Sequence, residues 1–260
     1  MKQRNFSFLQ NITDDDRIML SRTLDWAEMS EERYVTKYSF FLDERQCELN
    51  EKILASVKFE NYLLWGGYEN AERKILCVAA PYSDIDKKDF PVVPITFTYR
   101  DEDRLSHRDF LGSLMSLKIS RDSVGDILVG TGKTSVFLRD SIVHDVIDNI
   151  SKIGRTGVKS SVGFDETLVV EREFSEISGT VASLRLDSVI SLALKISREK
   201  ASALIRSGLA EVNHTTADSP KKLICEGDKF SVRGFGKFLF KSVNGATKKD
   251  RLHITVCKYI

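Results

Sequence analysis

The chain has 260 residues, a net charge of +1, 42% hydrophobic and 30% charged residues, the make-up of a globular protein with room for one large or two modest cores. No apolar run approaches the roughly 20 residues that cross a bilayer, and Met1-Lys2-Gln3-Arg4-Asn5-Phe6 leads to Asp14-Asp15-Asp16 instead of a signal-peptide core; a cytoplasmic protein without a membrane partner is expected. The cysteines (Cys47, Cys77, Cys225, Cys257) and histidines (His107, His144, His214, His253) are scattered, so neither a zinc site nor a disulfide framework is signalled, and no metal or cofactor is expected.

Thr13 and Asp16 stand at capping-box spacing ahead of Ile18, Met19 and Leu20, and a second helix is predicted from Asp43 to Ala55. Residues 1–73 therefore read as a helical lead-in. Gly66-Gly67 breaks that pattern, and Lys74 to Ala80 is the short apolar run of a buried strand. From Pro94 the elements alternate: a strand over Ile95–Tyr99, a helix over Ser106–Leu117 with Ser106 as cap, and a hairpin of Asp126–Val129 and Ser135–Leu138 around Gly130-Thr131-Gly132-Lys133. A helix from Asp140 to Ile150 and a strand over Gly157–Val162 follow. The order β-α-β-β-α-β is the split βαβ plan of ferredoxin-like and RRM-like domains, assigned to residues 74–165. Ile95, Phe97 and Tyr99 alternate onto one face and read as core. The Lys/Arg-Gly-aromatic run that gives RRM sheets their base-stacking platform is missing, so Arg104, Arg108 and Arg121 are the better RNA candidates there. An acidic connector, 166–180, with Glu171, Glu173 and Glu176, leads to a C-terminal module, 181–260. The fold class is α+β.

The small net charge hides an asymmetry. Residues 1–180 carry 24 Lys and Arg against 31 Asp and Glu, whereas residues 181–260 carry 15 against 7. A basic module of this size has the electrostatic footprint of a phosphate-backbone binder, because each neutralised phosphate releases counterions. The acidic part is a candidate surface for a protein partner, and Lys248, Lys249 and Arg251 read equally as a solvated tail.

Within the module, Asp187 is expected to cap a short helix over Val189–Leu194, and Ser197 a second one that stops at Gly208. On the second helix Ala201, Leu204 and Ile205 share the buried side, while Arg198, Ser202 and Arg206, spaced i, i+4, i+8, share another. Ala210–Val212 is a strand, Asn213 a position that tolerates positive φ, and Gly227-Asp228 a turn. The RNA-binding candidates are Arg185, Ser197, Arg198, Lys200, Ser202, Arg206, Asn213, Lys221, Lys222, Arg233 and Lys237, the last two flanking Gly234-Phe235-Gly236. Arginine suits such places because its planar fork bridges phosphate oxygens or stacks on a base. For Asp187, Ser197, Gly208 and Gly227, caps and turns are the simpler account.

This order of parts, Arg-Leu-Asp, Ser-Arg-x-x-Ala, Ile-x-x-Gly, Val-Asn and Gly-Asp over about 55 residues, resembles the S4 domain. Beyond it, Trp65-Gly-Gly-Tyr-Glu-Asn-Ala-Glu-Arg, His107-Arg-Asp-Phe-Leu-Gly, Arg121, Val124-Gly-Asp-Ile-Leu-Val and Thr180-Val-Ala-Ser-Leu-Arg-Leu-Asp resemble the YlmH family of bacterial S4 proteins. The resemblance implies an RNA-binding-type α+β domain before the S4 domain and a role at the ribosome. Ribosomal RNA of the large subunit is the expected partner, with tRNA a second one, in translation or stalled-ribosome quality control. It also implies that Arg185 and Arg198 contact RNA, as their counterparts do in S4 proteins that rescue stalled large subunits. The alternatives are an RNA-modifying enzyme that uses the S4 module for delivery and a cell-division adaptor.

Signals for catalysis do not hold together, and no catalytic residue is assigned. Gly130-Thr131-Gly132-Lys133-Thr134 is similar to a P-loop, but Ile127 stands where that motif needs glycine, and a strand instead of a helix follows. Arg185-Leu186-Asp187 is similar to the catalytic triplet of pseudouridine synthases, yet it opens the S4 module itself. His107-Arg108-Asp109 opens a helix without a partnered nucleophile.

Overall fold

The computed structural model describes residues 4, 6–9, 12–168, 174–213, 215–246 and 251–259; Glu171, Glu173, His214, Lys248 and Lys249 lie outside them. The chain divides into two units, Met1–Val169 and Val170–Ile260.

In the first unit, helix α1 (Asp14–Arg33) starts in the capping box of Thr13 and Asp16. Leu20, Thr23, Ala27 and Ser30 form its buried stripe, the spacing of one helix face. Strand β1 (Lys37–Leu42) leads to α2 (Glu44–Ser56), capped by Asp43. Arg45 forks onto Asp16 at 2.8 and 2.6 Å and Thr23 donates to Asn50 at 2.5 Å, which ties the two helices together. Strands β2 (Tyr62–Trp65) and β3 (Lys74–Val78) then join β1 in an antiparallel sheet of order β1-β3-β2. The lead-in is thus mixed, not purely helical, and the strand beginning at Lys74 belongs to its sheet. Aromatic-rich segments as short as Tyr62–Trp65 carry too few residues for a period to emerge, so only pairing with β3 reveals them.

The split βαβ plan follows. It runs β4 (Val92–Thr98), α3 (His107–Ser116), β5 (Val124–Val129), β6 (Lys133–Arg139) and α4 (Val143–Asn149). A small ladder of β7 (Lys152–Ile153) with β8 (Thr156–Gly157) precedes β9 (Lys159–Val162). The sheet order is β5-β6-β4-β9, all antiparallel. Ile95, Phe97, Val136 and Leu138 face a core shared with Phe110 and Leu114 of α3 and Val143 and Val146 of α4.

The opposite face is also covered. Phe137 projects from it into a cluster with Phe41, Ile75 and Cys77 of the first sheet, and its ring stacks on Tyr68 at 4.9 Å. Thr96 and Ser135 on the same face bond to each other at 2.8 Å and are buried. An RRM leaves this face open for bases; here the N-terminal sheet occupies it.

In the second unit, residues 174–181 form β10 (Phe174–Val181) and are not a connector. β10 pairs along its whole length with β15 (Leu252–Tyr259), from Phe174↔Tyr259 to Val181↔Leu252. Between them come α5 (Leu186–Leu194), α6 (Arg198–Arg206), β11 (Ala210–Val212), β12 (Thr215–Thr216), β13 (Lys229–Val232) and β14 (Gly236–Ala246). The six-stranded sheet has the order β10-β15-β14-β13-β11-β12, and α5 and α6 pack on one face of it through Val189, Ile190, Ala201 and Ile205. Gly179 leaves room there for the Leu192 side chain, whose Cδ1 would lie 2.5 Å from a Cβ. Among the described residues no helix is long and apolar enough to cross a membrane.

The contact of the first unit's two sheets is tight at Gly67, where φ is +102° and a Cβ would lie 2.4 Å from the Phe137 ring. Gly67→Ala is expected to cost about 2 kcal/mol through strain and overpacking, read as a lower midpoint of urea unfolding. Gly157→Ala, with open space around it, is expected to stay within about 0.5 kcal/mol of the parent.

Candidate nucleic-acid interface

The α5–α6 pair is a helical hairpin whose turn is set by three residues. Lys195 closes α5 in the left-handed conformation, Ser191 donates to the Ile196 carbonyl at 2.6 Å, and Ser197 accepts from the Lys200 amide at 3.2 Å as the cap of α6. Gly208 ends the helix at φ +70°.

Asp187 does not cap α5. The helix begins at Leu186 with Arg185 as the cap residue, because carbonyls of a neighbouring loop already serve the first amides: Leu186 donates to Lys222 at 2.8 Å and Asp187 to Pro220 at 3.2 Å. The Asp187 carboxylate, 4% exposed, is left to bind side chains. Arg185 reaches it through Nε at 3.2 Å and Nη2 at 2.8 Å, Arg198 through Nη2 at 3.2 and 3.1 Å, and the Ser188 hydroxyl at 3.2 Å. The two arginine side chains remain 31% and 50% exposed, so the carboxylate holds them side by side without covering them.

Both guanidiniums stand at helix N-termini, the end where the macrodipole disfavours cations. One carboxylate between two arginines offsets that penalty and leaves a local excess of positive charge. Burial pushes the Asp187 pKa up, but the hydrogen bonds from Arg185 and Arg198 more than compensate and hold the carboxyl below its ordinary value.

The other candidates spread over three places. Lys200, Ser202 and Arg206 continue along α6, the step of eight positions from Arg198 to Arg206 spanning about 12 Å. Lys221 and Lys222 lie in the loop that pairs with Arg185 through the Arg185↔Leu223 bridge, and the Arg233 amide donates to Leu209 at 2.8 Å, which sets the β13–β14 turn beside the end of α6. Asn213, at φ 49°, donates to Asp228 at 2.8 Å and accepts from the Lys229 amide at 2.9 Å, so its side chain joins two turns. Lys237 is on the other side of the sheet, with its ammonium 5.3 Å from the Tyr259 ring.

Two cations absent from the sequence-derived set adjoin the arginine pair. Lys195 and Arg251 line a groove of about 320 Å³ with Thr180, Ser188, Ser191 and Arg198. Arg251 donates to the Thr180 carbonyl at 2.9 Å. Arg251 stands far from α6 in the chain and comes near it only because β15 pairs with β10, which local spacing does not reveal.

In the first unit the segments that carry the YlmH resemblance converge on Asp126. Its carboxylate accepts from Tyr68 Oη at 2.8 Å and from the amides of Glu72 at 2.6 Å and Arg73 at 3.1 Å. Arg73 donates to the carbonyls of Val124 and Phe41, each at 3.0 Å, and Arg121 to those of Val124 and Gly125. Burial, with Arg73 nearby, lowers the Arg121 pKa to about 10. Both guanidiniums therefore bind backbone and lock the loop after β2 to β5. The Gly130–Lys133 turn is a hairpin whose Lys133 pairs with Asp165 and Thr167, and Asp109 accepts from the Ser106 amide and hydroxyl.

Two family models match, the S4 domain over residues 184–230 and the putative RNA-binding domain in YlmH over residues 86–163. The chain thus carries an S4 domain and, before it, a domain similar to the putative RNA-binding domain of YlmH. Its S4 match spans the Asp187 cluster, α6 and the loop that carries Lys221 and Lys222. Over 251 residues the chain is 28% identical to the ribosome-associated protein quality control protein P2 of Bacillus subtilis (strain 168), covering 95% of this chain and 96% of that protein. A solved structure described as cell division protein ylmH from Streptococcus pneumoniae has a TM-score of 0.52 at 21% identity, covering 63% of this chain and 99% of that one. That likeness concerns the fold.

Asp187→Asn removes the charge that holds both arginines. It is expected to destabilise the protein by about 1–3 kcal/mol. The stability that the ionised Asp187 contributes is complete above the unfolded-state pKa, near pH 4, and is lost as pH falls through the lower folded value. Urea unfolding between pH 5 and pH 3 should therefore show a shallower acid loss in the variant than in the parent.

Proposed function

We propose that this protein is a non-catalytic, cytoplasmic RNA-binding protein whose S4 domain grips structured RNA, namely ribosomal RNA of the large subunit, in translation or stalled-ribosome quality control. The observation that carries the reading is the pair Arg185 and Arg198, pre-arranged by the buried Asp187 and still half open to solvent. A guanidinium pair held at fixed spacing meets phosphate oxygens with little further loss of side-chain freedom. Lys195, Lys200, Arg206, Lys221, Lys222 and Arg233 add charge for backbone contact, and Ser197 and Ser202 add hydroxyls beside it. Asn213 acts through the geometry of its turn, and Lys237 through the far face of the sheet. The named B. subtilis relative supports the ribosomal setting, since it aligns over almost the whole of both chains.

The first unit, 1–169, is taken to orient the S4 domain or to meet a protein partner, because the face that an RRM would offer to bases is covered. tRNA on the same ribosomal particle is a second RNA within reach of this reading. An RNA-modifying activity fits less well: the aspartate of Arg-Leu-Asp is buried between two arginines, which suits a brace better than a nucleophile. A modified nucleoside missing from a deletion strain, seen by mass spectrometry, would favour that activity instead.

Sedimentation through sucrose at low and high salt tests the proposal. The wild-type chain should co-migrate with large subunits in a salt-sensitive way, and Arg185→Ala or Arg198→Ala should weaken that association about tenfold and flatten its salt dependence by about one charge. Unchanged association in both variants would sink the site, and a chain that stays at the top of the gradient under every condition would sink the ribosomal reading.

A further inference from the structure

The sheet of the second unit has two faces, and the helices cover only one. On the covered face lie Ile177, Val181, Phe230, Val232, Phe238, Phe240, Ile254 and Val256, packed against α5 and α6. The alternate residues of β10, β15 and β14 face the other way in rows set by the antiparallel register.

Two of these rows are satisfied within themselves. Ser178 and Thr255 share a hydrogen bond at 2.9 Å, and Asn244 donates to Thr255 at 2.7 Å. Glu176 and Lys241 form an ion pair across the central strand at Cys257, which accounts for the burial of that thiol.

The third row is different in kind. Phe174 pairs with Tyr259, their rings edge to face at 5.1 Å, and Lys237 lies over the Tyr259 ring. Phe174 is 40% exposed, and so is Phe235 at 42%, in the turn two residues before Lys237 and beside Arg233. Two aromatic rings and a cation thus gather at one end of the outer sheet face, with Phe235 in the turn that leads into Lys237. These three positions, 174, 237 and 259, all fall outside the S4 match at 184–230.

We propose that this end of the outer sheet face is a second RNA contact, one that stacks unpaired bases of a single strand. It rests on the reading that the C-terminal unit binds RNA. Rings on an open sheet with cations beside them match unstacked bases and their phosphates, the combination that single-strand binders use. A duplex keeps its base faces inside its own stack and cannot engage them. Glu176, two residues along β10 from Phe174 on the same face, is paired with Lys241, and Lys237 adds a cation beside Tyr259, a combination that favours an anionic polymer.

The test uses the full chain and fluorescence anisotropy with a labelled oligouridylate single strand, beside an RNA hairpin of equal length. Phe174→Ala combined with Tyr259→Ala should weaken single-strand binding about tenfold, leave co-sedimentation with large subunits in place, and spare the hairpin. Phe174→Tyr with Tyr259→Phe, which keeps the rings, should restore the single-strand affinity. Should the double alanine variant fail to fold, Phe174→Ala alone, at the exposed ring of the pair, probes the same surface. Equal single-strand affinity in parent and alanine variants overturns the proposal. So does a wild-type chain that co-sediments with large subunits but ignores the single strand; a chain that binds neither would instead remove the RNA-binding reading on which the proposal rests.

Discussion

A carboxylate taken almost completely out of water is tolerable only if charged donors surround it, and the arrangement at Asp187 follows from that constraint. The loop before Leu223 supplies carbonyls to the first amides of α5, so the aspartate has no cap to serve and turns to Arg185, Arg198 and Ser188. The two arginines come from different helices, and their convergence depends on the α5–α6 turn that Lys195 and Ser197 define. Burial of Val189, Ile190, Ala201 and Ile205 beneath that turn keeps it in place. Core packing, turn geometry and the charge pair thus form one chain of cause, in which the apolar side fixes the distance between two cations on the polar side.

A parallel constraint shapes the first unit. A β-α-β-β-α-β sheet with helices on one side must either expose its second face or find a cover for it. Here Phe137 enters the space beneath β1 and β3, and the Gly66–Arg73 loop closes over it, held by Asp126. Arg73 and Arg121 bond to backbone carbonyls within that closure, so charges that look available in sequence are fixed in place. The missing base-stacking aromatics and the covered face are two views of the same fact.

Local signals were legible and distant ones were not. Thr13 with Asp16, Asp43, Ser106 and Ser197 cap helices where spacing placed them, and the hairpin at Gly130–Lys133 and the helix end at Gly208 follow from backbone preferences that neighbouring residues determine. β10 reads as an acidic connector in sequence because Glu176, Ser178 and Thr180 of its outer face mask the inner alternation of Ile177, Gly179 and Val181, and its partner strand lies more than seventy residues away. The residue type and position of Asp187 suit a cap; the Pro220 and Lys222 carbonyls that displace it from that role come from a loop that only the tertiary fold brings near. Arg251 joined the groove by the same long-range pairing that made β10 a strand.

The two faces of the C-terminal sheet would hold RNA by different physics. The arginine pair acts through phosphate charge, and added salt erases most of that contribution as counterions compete. Stacking on Phe174 and Tyr259 depends on dispersion and desolvation, which salt leaves nearly intact. A chain that used both would lose its grip on duplex RNA first as ionic strength rises and retain residual affinity for unpaired segments. The covered RRM-type face in the first unit fits the proposed division: the sheet where an RRM would stack bases is closed, and the Phe174–Tyr259 pair, with Phe174 exposed, lies on a different sheet of the same chain.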